Sequence, residues 1–141
     1  MRMYKLRLPS PALIVACVAL FAALGGGSYA ATTLANSGVH WTSASLQNGW
    51  QKGCCDPGTP GYAKDSAGVV HLRGAIADGT SNFAFTLPKA LRPAHDLYIT
   101  DYTFEGTTGY LIIYKDGEVW PEGTYATDYS SLNGISFVAG Q

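Results

Sequence analysis

The stretch "GVVHLRGAIADG", residues 68–79, alternates apolar and polar side chains along most of its length. In an extended chain, alternation sends Val70, Leu72 and Ile76 to one face and His71, Arg73 and Ala75 to the other. A helix would need its apolar residues spaced by three and four over several turns, and no segment beyond the leader sustains that spacing. Gly74 falls on the apolar face, where a missing side chain admits a close neighbour or marks a bulge. The segment therefore predicts a strand with one face buried.

The same pattern recurs on both sides of it. "NFAFTLP" (82–88) places Phe83, Phe85 and Leu87 on one face and closes with Pro88. In "YLIIYKDGEVWPEG" (110–123), Asp116-Gly117 predicts a two-residue type I′ hairpin turn. That register pairs Lys115 with Glu118 and sets Tyr114 against Val119, with Pro121 stopping the second strand or placing it at an edge. "LYITDYTF" (97–104) and "LNGISFVAG" (132–140) read as two more strands. A shorter one around Tyr62 pairs back onto residues 69–77 across "KDSAG". Phe83, Phe85 and Phe137 take core positions. Seven to eight short strands, with turns every 8–12 residues, predict an all-β fold, an antiparallel β-sandwich with jelly-roll or Greek-key-like connections.

Ahead of these strands lies a segment of different character. "MRMYKLRLPS" carries Arg2, Lys5 and Arg7 without an acid, and residues 12–24 form an uncharged apolar run of 13 residues. A bilayer-spanning helix needs about 20 such residues, so the run fits a signal peptide better than an anchor. Small residues end it, and cleavage is expected between Ala30 and Ala31. A lipobox at "IVAC" is a poorer reading, because apolar sequence continues past Cys17 to Leu24. The expected organisation is a signal peptide over 1–30, a Thr/Ser/Ala-rich linker over 31–45 and a β-sandwich over 46–141. The destination is extracellular.

Beyond Ala30 the chain has six basic and ten acidic residues, a net charge of −4. That balance argues against nucleic acid, which demands a clustered positive face, and against anionic lipid. With the leader removed, no apolar run remains for stable membrane insertion. Two cysteines remain, Cys54 and Cys55, in "GWQKGCCDPGTPGY" (49–62). Neighbouring Cα atoms lie about 3.8 Å apart and disulfides prefer about 4.4–6.8 Å, so a bond between them would distort the peptide. A zinc site needs about four ligands, and His40, His71 and His95 are scattered without ligand spacing. A metal or redox role is therefore not expected. Two readings stay open: a strained ring stiffening this loop, which needs no partner, or pairing between chains.

No G-x-S-x-G elbow or acid cluster frames a catalytic group, and neither a catalytic set nor a cofactor is expected. Asp96 and Asp101 bracket a strand at a spacing common for turn residues. Arg92, in a Pro-bounded loop, is expected to pair with Asp96 or a backbone carbonyl. The richer signal is aromatic. Trp120, Tyr125, Asp128 and Tyr129 share the loop-like stretch "WPEGTYATDYSS" (120–131). Ring faces beside Asp, Thr and Ser suit the stacking and hydrogen bonding of sugars. The competing reading is tyrosines packed on a sheet or at an oligomer interface.

The order "NGW" (48–50), "YAKDSAGVVHLRGAIADG" (62–79), "FTLPKALRP" (85–93), "KDGEV" (115–119) and "SLNGISF" (131–137) resembles the β-sandwich head domain of bacteriophage tail-fibre, baseplate and receptor-binding proteins. The resemblance covers residues 46–138. It implies a binding module for cell-surface carbohydrate and trimeric association, with the alternative of a structural oligomerisation domain. It also places the Cys54–Cys55 loop where length varies, which favours a staple over a site. The leader resembles signal peptides of proteins secreted by high-GC Gram-positive bacteria. This departs from the phage pattern and suggests a cellular protein built on a phage-type sandwich.

Overall fold

The computed structural model describes residues 39–141. The expected signal peptide, the cleavage point at Ala30 and Ala31, and the start of the expected linker lie outside them. The strands are β1 (Thr42–Ser43), β2 (Gln51–Lys52), β3 (Gly61–Lys64), β4 (Val69–Arg73), β5 (Ala75–Ala77), β6 (Phe85–Thr86), β7 (Leu97–Tyr102), β8 (Thr108–Ile113), β9 (Glu118–Glu122), β10 (Tyr129–Ser131) and β11 (Ser136–Val138). They form three antiparallel sheets, ordered β1-β3-β4-β11, β10-β5-β2 and β6-β9-β8-β7. The fold is all-β, as the alternation required. A strand at Thr42–Ser43 pairs with β3, so the domain begins within the stretch expected to be linker.

The opening stretch is two strands rather than one. Gly74, at φ +84°, separates β4 in the first sheet from β5 in the second. A Cβ there would lie 2.7 Å from the Pro60 nitrogen, so the site needs glycine for both its conformation and its space. The Asn133 side-chain oxygen accepts from the Gly74 amide at 2.8 Å, and the Gly74 carbonyl accepts from Leu132 at 2.9 Å. The crossing is thus fastened from 59 residues away. Downstream of it, the expected outward position of Ala75 is wrong. Ala75, Ile76 and Ala77 are all buried, because β5 is the central strand of its sheet and the Gly53 backbone and Tyr129 ring close over it.

Val70 and Leu72 from the first sheet, Ile76 from the second, and Phe85, Leu111, Ile113 and Val119 from the third meet in one core. Each such side chain, fully buried, contributes roughly 1.5–3 kcal/mol. Phe137 packs against this core, whereas Phe83 lies partly exposed beside Trp120. A bridge between Thr103 and Ser130 joins the edge of the third sheet to the edge of the second.

Two hairpins share one turn design, and it differs from the type I′ expectation. The Gly117 amide donates to the Tyr114 carbonyl at 2.8 Å, and the Tyr114 amide donates to Glu118 at 2.9 Å. This is a three-residue loop in which Gly117 alone takes positive φ, a type I turn followed by a bulge. Tyr114 therefore opposes Glu118, and Lys115 lies in the loop. The "KDSAG" turn repeats the arrangement through Asp65, Gly68 and Val69. Pro121 does not end its strand, which runs to Glu122. By alternation its nitrogen points away from β8, toward the side where β6 has already ended, so no ladder bond is lost.

Among the described residues, no helix is long and apolar enough to cross a membrane.

Candidate functional site

The structure divides the aromatic residues that the sequence grouped together. Trp120 sits on the outer face of β9, stacked on Phe83 at 5.9 Å and edge-on to Tyr114 at 5.9 Å. Its indole N–H donates to Glu118 Oε2 at 2.9 Å. These contacts hold the ring in a half-buried seat. Across the sheet Trp120 registers with Ile112 and then Tyr98.

Tyr125, Asp128 and Tyr129 lie elsewhere. The chain turns between β9 and β10, with Tyr125 at φ +59° and its carbonyl accepting from the amides of Asp128 and Tyr129, each at 3.1 Å. Asp128 is exposed on this turn. Tyr125 meets Phe104 edge-on at 6.4 Å, and Tyr129 meets Tyr102 edge-on at 6.0 Å. Tyr102 stands at the far end of β7 from Tyr98, four residues or about 13 Å along an extended strand. The site expected from sequence is therefore two aromatic groups, with Trp120 in one and Tyr125 and Tyr129 in the other.

Of the second group, Tyr129 lines a hollow of about 240 Å³ together with Cys54, Cys55, Tyr102, Phe104 and Glu105. Phe104 and Glu105 belong to a short 3-10 turn, and Glu105 takes φ +56°. The turn is braced by the Gly106 amide donating to the Tyr102 hydroxyl at 3.1 Å. The Thr103 hydroxyl, bonded to Thr107, also reaches the Thr124 carbonyl at 3.1 Å and ties this turn to the Tyr125 loop. Tyr102, Phe104 and Tyr125 keep about half their surface exposed. Desolvation, reinforced by the nearby thiols, pushes the Tyr129 hydroxyl above its ordinary range. Sequence reading passed over Tyr102, Phe104 and Glu105. Their signal was present in "DYTFEG", where strand alternation turns Tyr102 outward and Gly106 closes the segment.

Cys54 and Cys55 are both free, exposed thiols. No bond joins them here, and adjacency holds their Cα atoms about 3.8 Å apart, closer than disulfides prefer. Cys55 and Asp56 take φ of +66° and +55°, turning the loop back toward β3. A hydrogen bond with Cys55 is the main influence raising the Cys54 thiol above its usual range, with desolvation second. Among the described residues, no three His, Cys, Asp or Glu side chains gather in a cluster able to hold a metal ion.

Behind the hollow lies an unusual carboxylate. Asp101 precedes Tyr102 on β7, points inward and is only 7% exposed. Neither of its oxygens has a hydrogen-bond partner. The nearby Ser130 hydroxyl favours the charged form, but it is directed at the Ala126 carbonyl at 3.0 Å. Burial dominates and pushes the Asp101 carboxyl up to about 6. Arg92 meets the sequence expectation by its carbonyl route: Nε donates to Leu87 at 3.0 Å. Asp96 instead accepts from the Lys115 amide at 2.9 Å.

No protein-family model matches the chain, and no curated protein sequence does. Among solved structures, the chain is similar to the receptor binding protein (gp15) of Listeria phage PSA, with a TM-score of 0.67 and 15% identity over 88% of this chain and 79% of that one. The shared property is the fold, an all-β sandwich of the kind found in a phage receptor-binding protein.

Proposed function

We propose that this chain is a secreted, non-enzymatic binding module that recognises a cell-surface glycan through the hollow bordered by Tyr102, Phe104 and Tyr129. One observation carries the reading. Three aromatic rings, Tyr102 from β7, Phe104 from the 3-10 turn after it and Tyr129 from β10, stand partly exposed around one concavity, with the Glu105 carboxylate in its wall. Ring faces pack on the apolar face of a sugar, while a carboxylate accepts its hydroxyls. The phage receptor-binding fold supports a binding role in general terms, and the signal-like leader supports export. A glycan array probed with the secreted chain tests it. Binding should be lost in both Tyr102→Ala and Phe104→Ala, and a blank array, or retained binding in the double variant, counts against the site. N-terminal sequencing of protein from the medium should begin at Ala31.

A second reading, a homotrimeric structural domain, is favoured by the outer face of the third sheet. Tyr98 is 68% exposed there, and Tyr110 is exposed two positions along the neighbouring strand. Solution mass distinguishes the two. A trimer broken by Tyr98→Lys with Tyr110→Lys supports assembly through this face, and a monomeric wild type excludes it.

A further inference from the structure

The first sheet carries a second hollow, of about 420 Å³, on its outer face, distinct from the Tyr102 hollow. Its wall includes Trp41, His71, Arg73 and Ser136. We propose that it binds a carboxylate-bearing saccharide, of the uronic acid class, with Arg73 holding the carboxylate and Trp41 packing on the ring.

The argument starts from Arg73. Its guanidinium lies 4.4 Å from the centroid of the Trp41 ring, a cation–π contact that holds the planar group in one orientation. Among the described residues no carboxylate forms an ion pair with it. Its Nε is enclosed and has no acceptor, leaving that N–H without protein or solvent. The enclosed Nε lies out of a ligand's reach, so it is the terminal Nη groups of this fixed, partly desolvated cation that meet the two oxygens of a carboxylate.

Asp65, the acid that meets His71 two residues along the same strand, is already committed. One Asp65 oxygen accepts from the amides of Ala67 and Val69, both at 2.9 Å, and the other meets His71 Nε2 at 3.1 Å. The hydrogen bond with His71 is the first reason its carboxyl is held below the usual range. Asp65 therefore serves its turn and His71, and Arg73 is left for a ligand. Ser136 registers opposite His71 on β11 and adds a hydroxyl at the rim. Leu72 and Ile135 supply apolar wall, and Trp41 keeps 37% of its surface exposed. Apolar wall, an indole face, a hydroxyl and one unpaired cation together suit a sugar ring bearing a single negative charge.

The test is a ¹H–¹⁵N NMR titration of the secreted chain with methyl β-glucuronide, with methyl β-glucoside as its neutral match and inorganic phosphate as a plain anion. The glucuronide should move the Trp41 indole and Arg73 side-chain signals and bind at least about 10-fold more tightly than the glucoside. Arg73→Gln should remove that preference, whereas Arg73→Lys should keep part of it. If Arg73→Gln does not fold, Trp41→Ala serves instead and should weaken the glucuronide response. A glucuronide that leaves Trp41 unmoved, or binds no better than the glucoside, overturns the proposal. Phosphate binding as tightly as glucuronide also overturns it, since the site would then read charge alone. Phe104→Ala should leave this titration unchanged, so failure here is separable from failure at the Tyr102 hollow.

Discussion

Arg92 reaches back five residues to donate from Nε to the carbonyl of Leu87 at 3.0 Å, beneath the turn at Gly117. The Leu87 amide in turn donates to the Gly117 carbonyl at 2.8 Å, and a Cβ on Gly117 would lie 2.6 Å from Arg92 Nε. The end of β6, the loop after it and the β8–β9 turn are thereby held at one point. Arg92→Ala should destabilise the domain by about 1–2 kcal/mol, lowering Tm by roughly 4–8 °C per kcal/mol. The glycan binding proposed for the Tyr102 hollow should be unaffected. Thermal unfolding checks this, and an unchanged Tm would show that the contact is dispensable.

Asp101 should make stability fall as pH rises. Its carboxyl titrates at about 6 when folded and at 3.8 when free. Between these values the unfolded chain holds fewer protons, so the contribution of the neutral form is complete below 3.8 and lost as pH approaches 6. The ceiling on this loss is about 3 kcal/mol. Asp101→Asn should therefore be more stable than the wild type at pH 7 and nearly equal to it at pH 4. Urea unfolding at the two pH values measures the difference. Asp65 acts in the opposite sense: its lowered carboxyl stabilises the fold above 3.8, and that contribution fades as pH drops further.

Trp120→Ala should separate the two aromatic groups. Its ring contacts Phe83 and Tyr114 and its indole bonds Glu118, while the Tyr102 hollow is lined by other residues. The substitution should cost stability, about 1–3 kcal/mol for a half-buried indole, and leave the proposed glycan binding intact. Loss of binding at full stability would instead place the recognition surface on the third sheet.

Both thiols should be alkylated by iodoacetamide in the folded protein without denaturant, because both are exposed. Cys55 should react first, since the hydrogen bond between the two thiols favours the protonated form of Cys54. Peptide mass mapping over time reads the order. A folded protein that takes up no label, and gains it only after reduction, would contradict the free-thiol state.

The residues that were legible in sequence are those whose environment follows from their neighbours. Val70, Leu72, Phe85 and Leu87 were placed inward by alternation, and all are buried. The hairpins at Asp65–Gly68 and Asp116–Gly117 were marked by glycine, although the extra loop residue shifted the second register by one. Gly74 was recognised as a bulge or a close approach, yet that it divides one strand between two sheets was not. β10 was missed because "YSS" has little pattern of its own and becomes a strand by pairing with β5, more than 50 residues away in sequence. Tyr102 and Phe104 were read as part of a strand, since nothing local reveals that Tyr129 and Tyr125 return to meet them.

By itself the sequence determined the all-β class, the antiparallel turns and most of the core, because alternation and turn chemistry act between residues a few positions apart. Which aromatics share a hollow, that Asp101 is sealed behind it, and that Arg73 lies unpaired over Trp41 were decided only by tertiary structure. Those relationships depend on which sheet edges meet when the layers close, and that is set by packing between segments far apart in the chain.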